Sequence, residues 1–323
     1  MFILGDLYGS SSMRILEICQ SNISMIRYRI RKRLNRKSRC VEKLVRSELL
    51  KKIPNRSELS GDIWAISMVK NEADIIELSI RHCLNQGVDA ILIADNGSTD
   101  GTKELLHKLG RELPLVVVDD PIVAYEQDAK MTALAKGARK LGAKWIVPFD
   151  ADEFWYGKDC SLGELLRNEK RSTVVYGDLF NAFPITHKEV TINSQMAMSD
   201  VVAVKKVAFK SHRFASLCMG SNEVYRGVPR TDGIFVLHLP WRSKNQLQRK
   251  LSQGKKAVLD SSKADWAGGH WVRFGDSTPE EVDEIWDNLA NWRAITGLAW
   301  NPAGKRYLIS GVQNPYEVLK MGS

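Results

Sequence analysis

Four apolar runs of strand length, each stopping at acidic or amide side chains, constrain this chain more than anything else in it. They are Ile63–Val69 before Lys70-Asn71-Glu72, Ala90–Ala94 before Asp95-Asn96, Leu115–Val118 before Asp119-Asp120, and Trp145–Phe149 before Asp150-Ala151-Asp152-Glu153. A run that is apolar throughout, without alternation, reads as a strand buried on both faces. Helical patterns separate the runs: Ile76, Ile80, Cys83 and Leu84 on one stripe, then Lys103 to Leu109, then Asp128 to Leu141 with Met131, Leu134, Ala138 and Leu141 aligned. Strands alternating with helices predict right-handed crossovers and a mostly parallel sheet with helices on both faces. Such a sheet takes its ligand beyond the carboxyl ends of its strands. All four polar clusters lie at such ends, so the expectation is an α/β fold with one polar rim.

Asp150 and Asp152 are two apart, which in a continuing strand puts both carboxylates on one face. Uncompensated, they repel and desolvate badly. A divalent cation with bound phosphate oxygens compensates them, because hard cations take oxygen ligands; the alternative is a solvated acidic turn. In Asp95-Asn96-Gly97-Ser98-Thr99-Asp100-Gly101-Thr102 the glycines permit a tight turn. Thr99 or Asp100 can cap the next helix, and Asp95 projects from the strand end, able to accept from a nucleobase N–H or a ribose hydroxyl.

Past Trp155 the alternation weakens. Val174–Tyr176, Val201–Val204 and Ile234–Leu237 are the expected strands. Ser243-Lys244-Asn245-Gln246 and Thr278-Pro279-Glu280-Glu281 have the capping-box pattern, the second with Pro in the first turn. The helices they open carry Leu247, Leu251 and Val258, and Val282, Ile285, Trp286 and Leu289. His270-Trp271 suits either an acceptor loop, since aromatics stack on sugar faces, or a core or lid.

The net charge of +9 is unevenly placed. Residues 1–60 hold 14 Lys+Arg against 5 Asp+Glu, and the remainder holds 33 of each. The main domain therefore has no electrostatic footprint for nucleic acid. The leader, with Arg27, Arg29, Arg31, Lys32, Arg33, Arg36, Lys37 and Arg39 near Ile23, Ile26, Ile30 and Leu34, fits a basic amphipathic helix on anionic membrane, a partner-binding segment or a solvated extension. Five scattered cysteines suggest a reducing compartment. With neither a membrane span nor a signal-peptide pattern, the expected location is cytoplasmic, with a peripheral membrane contact possible through the leader. The expected division is a basic extension (1–60), two halves of the main domain (61–160 and 161–245) and a C-terminal helical region (246–323).

Asn71-Glu72, the stretch Asp95 to Thr102, and Asp150-Ala151-Asp152, each ending a strand and in this order, resemble family-2 glycosyltransferases. These are inverting nucleotide-sugar enzymes with the Rossmann-like fold called GT-A. The match covers about residues 62–156, and it implies that 61–160 is the nucleotide-sugar-binding half and 161–245 the acceptor-side half. Asp150-Ala151-Asp152-Glu153-Phe154, with His238, Arg242-Ser243 and Lys250, is similar to one subgroup and carries the resemblance to about residue 260. It implies a nucleotide-binding set of Asn71, Glu72, Asp95, Asn96, Asp120, Asp150 and Arg242, with Glu72 and Asp95 on base and ribose. It implies Mn²⁺ or Mg²⁺ held by Asp150, Asp152 and His238, stabilising the departing nucleoside diphosphate. Arg242 and Lys250 would meet phosphate charge.

Inversion needs a general base for the acceptor hydroxyl. Glu223 is the first choice, with Asp232 and Asp178 as rivals. The Gln-X-X-Arg-Trp pattern of processive polysaccharide synthases is absent, which argues against a chain-extruding enzyme. The expected acceptor is a saccharide, a lipid-linked molecule or a protein. Two other classes remain open: a degenerate, non-catalytic sugar-binding or scaffold protein, and a nucleotidyltransferase. The latter expects a glycine- and basic-rich loop after the first strand, where this chain has Ser67-Met68-Val69-Lys70.

Overall fold

The computed structural model describes residues 36–55, 58–122, 124, 126–186, 194–225, 230–261 and 269–322. Most of the basic leader, Arg27 to Arg33 included, lies outside the described residues. Val45–Ser323 forms one compact unit.

Helix α1 (Arg36–Lys52) precedes the four expected strands β1 (Ile63–Val69), β2 (Ala90–Asp95), β3 (Leu115–Asp119) and β4 (Trp145–Pro148). Helices α2 (Ile76–Asn85), α3 (Thr102–Leu109) and α4 (Gln127–Lys140) connect them. The strands pair in parallel in the order β4-β1-β2-β3. Side chains alternate between two apolar cores: Ile63, Ala65, Ile91 and Ile93 on one face, and Trp64, Ile66, Ala90 and Leu92 on the other. All eight are completely buried, and burial of a large apolar side chain contributes about 1.5–3 kcal/mol. This two-sided burial is why the runs do not alternate in sequence. The order of connection reverses between β1 and β4, where a doubly wound sheet opens a crevice.

The chain continues through β5 (Glu153–Gly157), α5 (Leu162–Asn168), β6 (Val174–Pro184), β7 (Gln195–Ser199), β8 (Val204–Lys210) and β9 (Arg230–His238). It ends with α6 (Lys244–Leu259), α7 (Gly269–Phe274), α8 (Pro279–Ala290), β10 (Arg306–Ser310) and α9 (Pro315–Met321). Strand β8 joins the sheet antiparallel to β4, followed outward by β6, β7 and β10, while β9 pairs with β5 and β6. The full architecture is α/β, with a parallel half that presents the rim and a mixed half beside it. Trp241, α6 and α8 build a third apolar core with Trp271 and Trp286.

Two local expectations are corrected. The strand expected at Val201–Val204 begins only at Val204, and Val201 and Val202 are exposed in the turn before it. Asp150 and Asp152 do not share a strand face. Strand β4 ends at Pro148, and the chain turns, with Glu153 N–H donating to Asp150 O at 3.0 Å. That turn sends the two carboxylates to different partners.

Candidate active site at the carboxyl rim

Strand ends β1 and β2 are sewn together by the loops that follow them. Asn71 adopts a left-handed backbone (φ 58°), a conformation Asn tolerates better than most residues. Its Oδ1 accepts from Thr99 N–H at 2.7 Å, and its own N–H donates to Ser98 Oγ at 2.9 Å. Glu72 N–H donates to Thr102 Oγ1 at 2.9 Å and Ala73 N–H to Asp100 Oδ2 at 3.2 Å. The Ser, Thr and Asp of the 95–102 stretch thus serve mainly as anchors. Asp95 is what they leave at the rim: it is 2% exposed, and Oδ2 accepts from Ser98 N–H at 3.2 Å. Its Oδ1 is buried and has no hydrogen-bond partner among the described residues. A buried orphan acceptor of this kind costs about 1–3 kcal/mol and calls for an explanation.

Asn96 and Asp120 are bound to each other. Asn96 Nδ2 donates to Asp120 Oδ2 at 2.9 Å and to Ile122 O at 2.6 Å. Lys130 Nζ lies 2.7 Å from the same Asp120 oxygen. Lys130 is fully buried, and that burial lowers its pKa against the pull of Asp120. These three groups brace the rim from below.

Beyond β4 the acids separate into two nests. Lys206, from β8, sits 2.6 Å from Glu153 Oε1 and 3.1 Å from Asp150 Oδ2, and donates to Gly220 O at 2.7 Å. Glu153 Oε2 accepts from Trp155 Nε1 at 3.1 Å. Burial pushes the Glu153 carboxyl up to about 8, with Lys206 opposing. Burial alone would lower the Lys206 pKa, but Asp150 and Glu153 outweigh it and hold the ammonium charged.

The second nest is built by strand register. His238 is the partner of Glu153 across β5–β9 and of Asn181 across β6–β9, so it arrives beside Asp152. His238 Nδ1 donates to Asn181 Oδ1 at 2.8 Å, which leaves Nε2 facing Asp152 Oδ2 at 3.4 Å. Burial holds the imidazole neutral, outweighing the attraction of Asp152. Lys250 Nζ, from α6, lies 2.5 Å from the same Asp152 oxygen, and Arg242 Nη1 lies 3.7 Å away. Burial would raise the Asp152 pKa, yet its neighbours, Lys250 foremost, keep it well below the ordinary carboxylate range.

Arg242 is held in turn by Glu72 Oε2 at 2.5 Å and by Asp74 at 2.7 and 3.1 Å. Burial raises the Glu72 pKa, with Arg242 opposing. Arg249 donates to Asn71 O at 3.2 Å, so α6 lays its basic side chains along the rim.

The structure therefore brings Glu72, Asp152, His238, Arg242 and Lys250 into one cluster and sets Asp150 in the adjoining one. Asp150, Asp152 and His238 do not present three ligand atoms within 4.8 Å of one another, so the expected three-ligand set is not gathered in this structure. Glu223 accepts from Tyr176 Oη at 2.9 Å and from Arg230 Nη1 at 2.9 and 3.0 Å. Asp232 and Asp178 share Lys205, each at 3.0 Å. Asp232 is six residues from His238 along β9, roughly 20 Å away, and the structure does not bring it to the cluster. Trp271 is core, and His270 packs against it at 4.5 Å between ring centroids.

Sequence reasoning missed Lys206, Asn181, Asp74 and Gln127. Lys206 follows Lys205 in a strand where alternation gives no hint which one is buried, and Asn181 is identified only by register. Asp74 had a signal: it completes Asn71-Glu72-Ala73-Asp74 and is acidic beside an acidic neighbour.

The α/β architecture places a rim of buried, paired charges at the carboxyl ends of parallel strands, where such sheets take their ligands. Residues 65–189 match the family described as glycosyl transferase family 2. The matched stretch takes in the strand ends that carry Asn71, Glu72, Asp95, Asp150 and Asp152. Among solved structures, S. aureus TarS 1-349 has 11% identity over 72% of this chain and 71% of that one, with a TM-score of 0.37. The same fragment in complex with UDP-GlcNAc gives 11%, 72%, 72% and 0.37. Scores this low transfer nothing about the site. No curated protein matches the chain. No helix among the described residues is long and apolar enough to cross a membrane.

Proposed function

We propose that the protein is an inverting, metal-assisted glycosyltransferase that moves one sugar from a nucleoside-diphosphate donor to a hydroxyl of a saccharide, lipid-linked or protein acceptor. The observation that carries the donor assignment is the orphaned Oδ1 of Asp95, buried at the end of β2 beside the end of β1. A nucleobase N–H or ribose hydroxyl is the donor that oxygen lacks. The Asn71–Thr99 and Glu72–Thr102 bonds hold the pocket's backbone, and Arg242, fixed by Glu72 and Asp74, offers a guanidinium to the diphosphate.

Asp152 and His238 fit a Mn²⁺ or Mg²⁺ ion. A neutral imidazole nitrogen faces an ionised carboxylate, and the other ring nitrogen donates to Asn181, the arrangement typical of a histidine ligand. Bound there, the ion would supply Lewis-acid stabilisation to the departing diphosphate. Asp150 belongs to the adjoining Lys206 nest and lines the donor side.

Of the three acids considered as base, Glu223 has the best-connected position. Its loop is tied to the rim through Gly220, whose N–H donates to Gln127 Oε1 at 2.8 Å and whose O accepts from Lys206. Glu223 takes the proton of the acceptor hydroxyl as that oxygen attacks the anomeric carbon, and the bond to the diphosphate breaks on the opposite face. Turnover of UDP-, GDP- and dTDP-sugars, with and without Mn²⁺, tests this. Glu223→Gln is expected to lower kcat about 10²–10⁴-fold while nucleotide binding persists. Full activity in that variant assigns the base elsewhere.

A further inference from the structure

Lys250 occupies a position that the proposed donor site has a second use for. Its ammonium lies 2.5 Å from Asp152 Oδ2, the same oxygen that faces His238 Nε2. Neither contact is incidental: Asp152 and His238 are each 4% exposed at the side chain, and Lys250 is 20% exposed. A carboxylate oxygen held by an ammonium at that distance is not free to ligate a cation on the same side. The ammonium also has other places to rest. It lies 5.7 Å from the Trp241 ring centroid and 5.5 Å from that of Trp300, within range of cation–π attraction. Pro240 O is 3.5 Å away. The indole pair is itself fixed, with Trp241 Nε1 donating to Trp300 O at 3.1 Å, and the Trp300 ring is edge-on to His238 at 5.2 Å.

We propose that Lys250 is a displaceable counter-ion. It neutralises Asp152 while the donor site is empty, and it yields that oxygen when a divalent cation binds, its charge then carried by the Trp241 and Trp300 faces and the neighbouring carbonyl. Two consequences follow from linkage. Lys250 weakens divalent binding by the free energy of the contact it surrenders, and it spares the buried Asp152 carboxylate from relying on the longer Arg242 contact alone in the empty enzyme. Arg242 cannot play this part, because Glu72 and Asp74 hold its guanidinium in place.

The inference rests on the metal assignment above, and direct Mn²⁺ binding separates the two. The full chain is titrated with Mn²⁺ in the absence of nucleotide, following the loss of free-ion paramagnetic resonance signal, in wild type, Lys250→Met, Lys250→Arg and Asp152→Asn. Lys250→Met is expected to bind Mn²⁺ about tenfold more tightly than wild type or beyond, within the usual range of coupling between sites. Lys250→Arg should bind like wild type or more weakly, and Asp152→Asn should lose the gain when combined with Lys250→Met. Binding by Lys250→Met alone, with none in wild type, also supports competition at Asp152, while removing the metal from the native reaction. Equal or weaker binding by a folded Lys250→Met overturns the proposal and leaves the metal site standing. Absence of binding in every variant overturns both. Should Lys250→Met fail to fold, Lys250→Gln carries the same comparison.

Discussion

Replacing Arg242 with Met tests how the rim is held together. The guanidinium is 4% exposed and meets Glu72, 15% exposed, and Asp74, 41% exposed. Removing one partner of a buried ion pair costs about 3–5 kcal/mol, whereas the half-exposed contact with Asp74 is worth about 0–1 kcal/mol. Glu72 has an escape, because burial already raises its pKa and Arg242 is the main opposing influence. Without Arg242 the carboxyl takes up a proton at higher pH, which limits the loss to roughly 3 kcal/mol under neutral to mildly alkaline conditions. The sign with pH follows. A carboxyl whose folded pKa is raised binds more protons folded than unfolded, so its contribution to stability declines as pH rises through the folded value. The variant should therefore be more destabilised at about pH 8 than at about pH 5, because burial favours the protonated form of Glu72. Urea unfolding at both pH values, with the m-value unchanged, measures this. Glu72→Gln added to Arg242→Met should restore more than about 1 kcal/mol at the higher pH. A loss below about 1 kcal/mol, or one equal at both pH values, refutes this account of Arg242 as the counter-charge of Glu72.

Other outcomes are expected away from the rim. Burial lowers the His82 pKa to about 4, opposed by its bond to Trp155 O at 2.9 Å. A depressed histidine leaves the unfolded state with more bound protons between the two values, so stability is full above about pH 6.5 and falls by up to about 3 kcal/mol towards pH 4. The difference in stability between wild type and His82→Gln should therefore shrink on acidification; a constant difference contradicts it. Gly163→Ala places a methyl 2.3 Å from Gly87 O, a backbone atom with nowhere to move, so a loss of about 1–3 kcal/mol is expected in thermal or urea unfolding. Lys206→Met should destabilise by about 1–3 kcal/mol, because buried Glu153 loses its ammonium but can take up a proton; near-wild-type stability would contradict this role for Lys206.

Much of the parallel half was legible because its determinants are local. Ile63–Val69 and Ala90–Asp95 are apolar on both sides of the strand because both sides are covered, and each stops where its acids begin. The same logic placed Asp95 and Asp152 at the rim. What failed depended on contacts distant in sequence. Spacing alone could not show that the chain turns after Pro148 and separates Asp150 from Asp152, since the turn is fixed by β5 pairing with β9. The compensation of those carboxylates was likewise hidden: Lys206 and Lys250 lie 54 and 98 residues beyond Asp152 in the numbering. Glu223 and Asp232 illustrate the same limit, as their partners Arg230 and Lys205 come from sheet register and loop closure.

The central claim is that a nucleoside diphosphate binds at the ends of β1 and β2 through Asp95. Calorimetric titration of UDP, GDP and dTDP into wild type and Asp95→Asn tests it most directly. One nucleotide should bind wild type and lose about tenfold or more in affinity to Asp95→Asn, the cost of one charged hydrogen bond. Equal affinity in the two proteins, with the variant folded, would place the nucleotide elsewhere and contradict the account.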